Sequence, residues 1–490
     1  MSSTAGDQGS VRRSKLERLR DSLGVDPYPS RCLPREEVRA VRESGETEAE
    51  RVVSGRLTAL REHGKTIFAN LQDATGAIQI YLNVNVLPPE EWELAGMLDL
   101  GDIVQTRGSV FTTRTGELTV KCLELKLLCK SLRPLPVVKV DADGVTHDGV
   151  TDRDFLYRHR SIDLMVNPAS LERFRARTRI VTGLRGYLDS NGFLEVETPV
   201  LQPVYGGAAA DPFVTLYGSG GETVYLRIAK ELYLKRLLAG GIERVYELGK
   251  DFRNEGVDRT HSPEFTQLEL YEAYVDYTAM MRRFEEMTSA AASAAGVGPI
   301  VQFRGVSVDL TPPFARLGFE DSLRKASGED LFSWEPAELQ RLALSLGLDV
   351  PATDRPSLLD KLFDHFVADH IQAPTFVTDY PAELSPLAKR KPGEPGATER
   401  FEVFAMGLEM ANAFSEQNDP ILQRDILEAQ AADSVHREGI VDEDFLFALE
   451  TGMPPAGGMG IGVDRLVMLL TGAGSIRDTI FFPHLRRTGQ

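Results

Sequence analysis

Along Arg51–Leu128, hydrophobic and polar residues alternate with a period of two in short runs broken by Gly and Asp. Such alternation marks half-buried strands. Five runs are predicted as strands, Val52–Leu60, Thr66–Gln72, Ala77–Asn83, Ile103–Phe111 and Leu118–Leu128, with a polar, partly helical insert after the third. Upstream, Ser14–Leu23 carries Leu at helical spacing among charges and stops at Gly24 and Pro27, which predicts a short surface helix.

Five short strands with that insert predict a small Greek-key barrel of the OB type over residues 51–140, preceded by a tail and helix over 1–50. Pro134, Pro136 and the polar stretch Asp141–Gly149 predict a linker over 141–160. Residues 161–490 mix strands and helices without strict βαβα alternation, and long hairpins dominate the second half. The expectation is an α+β chain whose second domain is an antiparallel sheet flanked by helices. Ser289–Gly296 is Ala-rich, and a largely helical insertion is expected around 319–371.

At about 150 residues per domain, 490 residues allow roughly three domains. With 42% apolar and 26% charged residues, the chain can bury its cores without disulfides or a structural metal. Asp plus Glu (73) outnumber Lys plus Arg (55), for a formal net charge of −18. A uniformly cationic surface is thereby excluded, so any nucleic acid must be met at a local site. Cys32, Cys122 and Cys129 form no C-x-x-C pair and adjoin no histidine cluster. That argues against zinc and disulfides and suits a reducing cytoplasm. No apolar run nears the ~18 residues of a membrane span, and Met1–Arg13 lacks the apolar core of a signal peptide. No membrane partner is expected.

Within the barrel, alternation turns Ile67, Ala69 and Leu71 inward and Phe68 outward. Ile78, Ile80 and Leu82 face in, and Gln79 and Tyr81 face out. An outward ring beside an amide, with Arg61 near, suits unpaired bases: stacking is worth about 1–3 kcal/mol per base and the amide reads an edge. The alternative is that Phe68 packs under a loop or against the next domain.

Arg244–Tyr277 carries the densest chemistry. Two strand-like segments, Val245–Arg253 and Glu264–Tyr274, flank a polar loop holding Glu255, Arg259 and His261. Phe265, Gln267, Glu269 and Tyr271 share one face of the second. That face suits a cleft that stacks a flat ring at one end and holds a cation at the other. Arg253, at the end of the first segment, can grip a phosphate or carboxylate. The alternative is a solvated hairpin of mixed surface.

In Phe401–Asp419, a two-residue turn at Ala405–Met406 would make Glu402 and Glu409 cross-strand partners. Opposed carboxylates repel unless a cation lies between them or one is protonated, and Mg²⁺ with phosphate oxygens fits that need. Carboxylates splayed into water are the alternative. Asn412 and Glu416 follow closely. In Gly457–Leu470 a glycine-dense approach precedes helical spacing from Val463, with Arg465 in the first helical turn. A cation is unfavourable there unless a polyanion adjoins it. Asp464 is expected to pair with neighbours of Arg465 and to cap that helix.

Taken together, these segments resemble the class II aminoacyl-tRNA synthetases, the lysyl-tRNA synthetases in particular, from about Lys15 to Arg486. Phe193-Leu-Glu-Val-Glu-Thr-Pro199 is similar to motif 1, the dimer element. Phe252-Arg-Asn-Glu255 with His261 and Phe265 is similar to motif 2, and Gly460-Ile-Gly-Val-Asp-Arg465 to motif 3. Ala229-Lys-Glu-Leu-Tyr-Leu-Lys235, Glu269-Leu-Tyr271 and Asn412-Ala-Phe-Ser-Glu416 are similar to that family's lysine pocket. The barrel resembles its anticodon-binding domain, with Phe68, Gln79 and Glu124 at base-contacting positions and Arg61 beside them.

The resemblance implies a homodimeric, cytoplasmic ligase that activates L-lysine with ATP and passes it to the 3′ end of tRNA(Lys). It implies that Arg253 holds the lysine carboxylate and the α-phosphate. Glu255 and Phe265 would hold adenine, His261 and Arg465 the outer phosphates, with Gly462 at the nucleotide, and Glu402 and Glu409 would carry Mg²⁺. Glu231 and the Gly207 backbone would receive the α-ammonium, while Glu269, Tyr271, Asn412 and Glu416 line the side-chain pocket. A buried ε-ammonium needs such carboxylate partners.

The chain departs from the family at Lys230, where Pro is common, at Asp211, where Arg is common, and over Leu156–Ser161. Asp211 and Lys230 are expected to form a compensating pair. Three other readings remain. An aspartyl- or asparaginyl-type synthetase would share the barrel and motifs, but its substrates call for cationic or amide partners. A synthetase-like RNA-binding regulator should have lost Arg253, Glu409 or Arg465. A ligase that attaches lysine to protein should lack the barrel.

Overall fold

The computed structural model describes residues 2–136, 139–140, 146–147, 150–208, 210–218, 220–350, 354–433 and 441–485. The expected linker stretch Asp141–Gly149 lies outside them except at 146–147. The chain divides into two compact units, Met1–Arg153 and Asp154–Gln490.

The first unit is a closed five-stranded barrel of Thr47–His63, Thr66–Gln72, Ala77–Asn83, Ile103–Thr112 and Leu118–Cys129. Its order is first, second, third, fifth, fourth, closed by the parallel pairing of Gln79 with Thr119. Ile67, Ala69, Leu71, Ile78, Ile80 and Leu82 are all buried within it, as alternation requires. Each large aliphatic side chain so buried stabilises the barrel by about 1.5–3 kcal/mol. The first strand is longer than its alternation suggests because a bulge between Leu57 and Ala59 lets it bend and pair with two neighbours. The insert after the third strand is the helix Pro89–Ala95. A seven-residue helix, Val38–Ser44, was not legible, being too short for a periodic signal.

The second unit is built on an eight-stranded sheet. Its order is Ala315–Gly318, Thr375–Thr378, Arg400–Ala405, Leu408–Ser415, Ala456–Gly462, Glu264–Ala273, Arg244–Phe252 and Leu194–Glu195. Pairing is antiparallel except at the two ends. One face is covered by the helices Pro168–Ser190, Tyr277–Ala295 and Val463–Thr471, which share a core with Leu268, Leu270, Phe401, Val403 and Ile461. The Ala-rich helix lies so close to its neighbour that a Cβ at Gly183 would stand 2.7 Å from that of Ala294. Helices Phe319–Ser327, Pro336–Ser345 and Arg355–Phe366 leave and rejoin the sheet between two strands that pair with each other, around a core of their own.

Candidate active site

Four central strands, Arg400–Ala405, Leu408–Ser415, Ala456–Gly462 and Glu264–Ala273, present a cleft of about 350 Å³ opposite the helical layer. The loop after Phe252 and the start of the helix Glu231–Ala239 complete its walls. Arg253, Glu255, His261, Phe265, Glu402, Gly462 and Arg465, the residues expected at the nucleotide, all line it. So do Gly207, Glu231, Glu269, Tyr271, Asn412 and Glu416, expected at the amino acid, and Glu409. Positions spread over more than 250 residues of sequence thus converge on one cavity.

At one end the Arg253 guanidinium lies over the Phe265 ring, 5.1 Å from its centroid. Its Nε is buried with no hydrogen-bond partner among the described residues. Arg465 donates to the Glu409 carbonyl at 2.7 Å, and its other terminal nitrogen lies 3.0 Å from His261 Nε2. Asp258 accepts from the backbone of Thr260 and His261 and sits 2.8 Å from His261 Nδ1. Burial works against that carboxylate's charge, but these bonds outweigh it and hold Asp258 down at about 2. A carboxylate on Nδ1 leaves Nε2 as the acceptor toward Arg465. Two guanidiniums and an oriented imidazole around one end suit a polyphosphate.

Asp464 does not cap the last helix. It is buried, paired with Arg177, and accepts from Thr266 N at 2.7 Å, while Gly462 stands at the N-cap without a side-chain cap. A buried carboxylate needs a cationic partner, here Arg177 from the helix Pro168–Ser190.

The acidic hairpin turns at Met406–Gly407 (φ 55° and 69°), one residue later than expected. Asn412, not Glu409, lies opposite Glu402, and Glu409 lies opposite Phe404. The reason is a bulge: Met410 and Ala411 both turn into the core beneath the sheet. Glu409 therefore joins Asn412, Phe414 and Glu416 in lining the cleft, and Glu402 reaches the same cavity. Glu402 accepts from Arg400 at 2.6 Å and from the Tyr380 hydroxyl at 2.8 Å. Burial pushes Glu402 up to about 7; Arg400 opposes the rise and Glu409 adds to it. Glu409 moves the opposite way: burial is outweighed by Arg465 and Arg253, which hold it below the usual carboxylate range.

At the far end three carboxylates meet. Glu231, Glu269 and Glu416 are all buried. Glu269 accepts from Lys230 N at 3.0 Å and from the Tyr271 hydroxyl at 3.2 Å. Burial pushes it up to about 7, with Lys230 opposing and Asp251 and Glu231 adding. Glu416 rises well above the usual range, again through burial first, with Lys235 opposing. Gly207 abuts Glu231, where a Cβ would stand 3.1 Å from the Glu231 Cβ. The expected Asp211–Lys230 pair does not form. Lys230 is fully buried against Asp251, which Arg227 also meets at 3.1 Å, and Asp211 is exposed. The buried Asp251 is the partner because a buried ammonium needs its counter-charge beside it in the interior.

Arg400 and Gln267 belong to the cleft but were assigned no role from sequence. Arg400 donates to Asn412 at 3.1 Å and to Glu402, and lies 4.5 Å from the centre of the Tyr380 ring. The alternation that placed Glu402 in the cleft places Arg400 there too, two residues earlier.

On the barrel, Phe68 lies across the sheet from Arg61 and from Tyr81, with its ring 5.0 Å from the Tyr81 ring. Phe111 continues the platform at 6.0 Å. Gln79 accepts from the Thr119 hydroxyl at 2.9 Å. Glu124, farther along its strand, is engaged by Arg107 at 2.8 Å and Lys126 at 2.7 Å.

A family profile described as tRNA synthetases class II (D, K and N) matches residues 152–486. Another, described as an OB-fold nucleic acid binding domain, matches residues 52–128. The lysine–tRNA ligase of Moorella thermoacetica is 48% identical over 98% of this chain and 98% of its own length. That of Pelotomaculum thermopropionicum is 46% identical over 97% and 94%, and one from Clostridium perfringens is 42% identical over 98% and 96%.

Proposed function

Because this chain belongs to the lysine–tRNA ligases of the class II synthetases, we propose that the cleft performs both half-reactions through the residues that line it. The enzyme is an aminoacyl-tRNA ligase: ATP activates L-lysine, and the lysyl group passes to tRNA. In the first step a lysine carboxylate oxygen attacks the α-phosphorus of ATP, the bond to the bridging oxygen breaks, and pyrophosphate leaves. In the second, a hydroxyl at the tRNA 3′ end attacks the lysyl carbonyl, AMP leaves, and the hydroxyl proton is lost.

Arg253 holds the carboxylate and α-phosphate together, which offsets the charge gathering between them. Phe265 and Glu255 hold the adenine, with Gly462 at the nucleotide, while His261 and Arg465 take the outer phosphates. Glu231 and the Gly207 backbone receive the α-ammonium; Glu269, Tyr271, Asn412 and Glu416 receive the side chain. No side-chain nucleophile is needed, since alignment and fixed charge supply the acceleration. The observation that carries this reading is the convergence of Glu231, Glu269 and Glu416, buried together at one end of a cleft whose other end holds Arg253 and Arg465. Among the described residues no three His, Cys, Asp or Glu side chains are arranged to cage a metal. Glu402 and Glu409 both line the cleft, and two carboxylates there suit Mg²⁺ shared with nucleotide oxygens. Bound there with ATP, Mg²⁺ would supply positive charge against the phosphates.

The barrel reads the tRNA(Lys) anticodon with Arg61, Phe68, Gln79 and Glu124, and the stacked Phe68–Tyr81 platform supports this role. Exposed apolar side chains at Leu194, Val200, Leu201, Val214, Leu216 and Tyr217 support a homodimer built on the motif 1 segment. Among the described residues no helix is long and apolar enough to cross a membrane. Arg253, Glu409 and Arg465 together do not suit a regulator that has lost its chemistry.

ATP–pyrophosphate exchange with single amino acids tests the assignment. Lysine alone is expected to sustain exchange; faster exchange with aspartate or asparagine defeats it. Sedimentation as a particle near 54.1 kDa, the mass of one chain, defeats the dimer.

A further inference from the structure

Lys235 sits at the back of the amino-acid end of the cleft and is fully buried. Its ammonium lies 2.5 Å from Glu231 Oε1 and also meets Glu416 Oε2. The rings of Phe414 and Phe445 close over it at 5.3 and 6.0 Å. Burial alone would pull the ammonium down, but Glu231 and Glu416 outweigh it and hold it charged. Both oxygens of Glu416 are buried without a hydrogen-bond partner among the described residues, but Oε2 is ion-paired with Lys235 and no ion pair reaches Oε1. That oxygen lies over Gly458 and beside Tyr271: a Cβ built on Gly458 would stand 2.0 Å from it and 2.5 Å from the Tyr271 ring.

We propose that Lys235 is a positioning residue for amino-acid selection. It is a resident ammonium that occupies one oxygen of Glu231 and one of Glu416, and so turns the free oxygen of Glu416 toward the substrate. It also sets the charge of the pocket. Glu231, Glu269 and Glu416 carry three potential negative charges, and Lys235 cancels one. The remaining two match the α- and ε-ammonium groups of lysine, with the substrate carboxylate left to Arg253. The charged and titratable groups that face this cluster are Tyr271 beside Glu269 and Glu416, Arg400 toward Glu231, and the Lys230 and Asp251 pair toward Glu269. Burial already raises Glu269 and Glu416 while Lys235 opposes the rise at Glu416; without Lys235 the three carboxyls would hold their protons more firmly still. The cluster would then greet a cationic side chain with neutral carboxyls.

This inference rests on the lysine-pocket reading above, and the experiment separates the two. Lysine-dependent ATP–pyrophosphate exchange is followed with Lys235→Met, Glu416→Gln and the double variant. Lys235→Met is expected to raise the KM for lysine at least tenfold at pH 7 and leave the KM for ATP within twofold. Its lysine KM should fall steeply between pH 7 and 8.5, as the uncompensated carboxyls ionise, while that of the parent changes less. A folded Lys235→Met with parental lysine KM at every pH overturns the proposal. If the single variant does not fold, the double variant removes charge from both partners and decides alone. Its lysine KM should match that of Glu416→Gln within twofold, and a further tenfold rise overturns the proposal by showing that Lys235 acts independently of Glu416. Should Glu416→Gln itself leave the lysine KM unchanged, it is the pocket reading that falls.

Discussion

Arg465 donates to the backbone carbonyl of Glu409 at 2.7 Å and meets its carboxylate at 3.2 Å. One guanidinium thus ties the first turn of the helix Val463–Thr471 to the acidic hairpin and stays half-turned to the cleft. With a cation placed at the positive end of a helix, binding of an anion there relieves a standing repulsion. Arg465→Ala is expected to lower the kcat of pyrophosphate exchange by about a hundred- to a thousandfold, the scale of losing one transition-state donor. The lysine KM should stay within a few-fold. Steady-state kinetics checks this, and an equal rise in lysine KM counts against the phosphate role.

Glu269 is expected to give lysine affinity a pH dependence. Burial has raised its carboxyl to about 7, so below that pH the protonated form prevails and an ammonium finds a neutral partner. The lysine KM should therefore fall as pH rises through 7 and level off above it. Glu269→Gln should raise the KM and flatten the profile. A wild-type KM that is constant from pH 6 to 8 contradicts the assignment.

Gly458 has no room for a methyl group beside Glu416 and Tyr271. Gly458→Ala is expected to push both side chains from their seats and raise the lysine KM by about a hundredfold, the scale of unpairing a buried charge. Binding of ATP, measured by calorimetry, should be preserved. Loss of both affinities together would mean that the sheet itself had been disturbed.

Phe68→Ala is expected to raise the tRNA KM in aminoacylation about tenfold, the worth of one stacked base. Pyrophosphate exchange, which needs no tRNA, should not change. The two assays run side by side separate a base contact from a packing role.

Much of this architecture was legible locally. The barrel strands announced themselves by alternation because each has one face in a single core, and Ile67, Ala69 and Leu71 are buried as that pattern demands. The shared face of Phe265, Gln267, Glu269 and Tyr271 was legible for the same reason: an unbroken strand keeps its period, and all four line the cleft. Val463–Thr471 followed from its helical spacing.

The acidic hairpin shows where such reasoning stops. Counted by twos, Glu409 and Glu416 fall on opposite faces of their strand, and only the extra residue at Met410–Ala411 brings both into the cleft. Likewise Lys230 chose Asp251 over Asp211, Asp464 chose Arg177, and Lys235 settled between Glu231 and Glu416. By itself the amino-acid sequence determined the elements, the faces they bury and the chemistry they carry, since a strand or helix imposes its period on its own neighbours. Which buried charges would meet was decided by the folded sheet alone. The attraction between two charges depends on their distance through a dry interior, and residues tens or hundreds of positions apart acquire that distance only when the chain has packed.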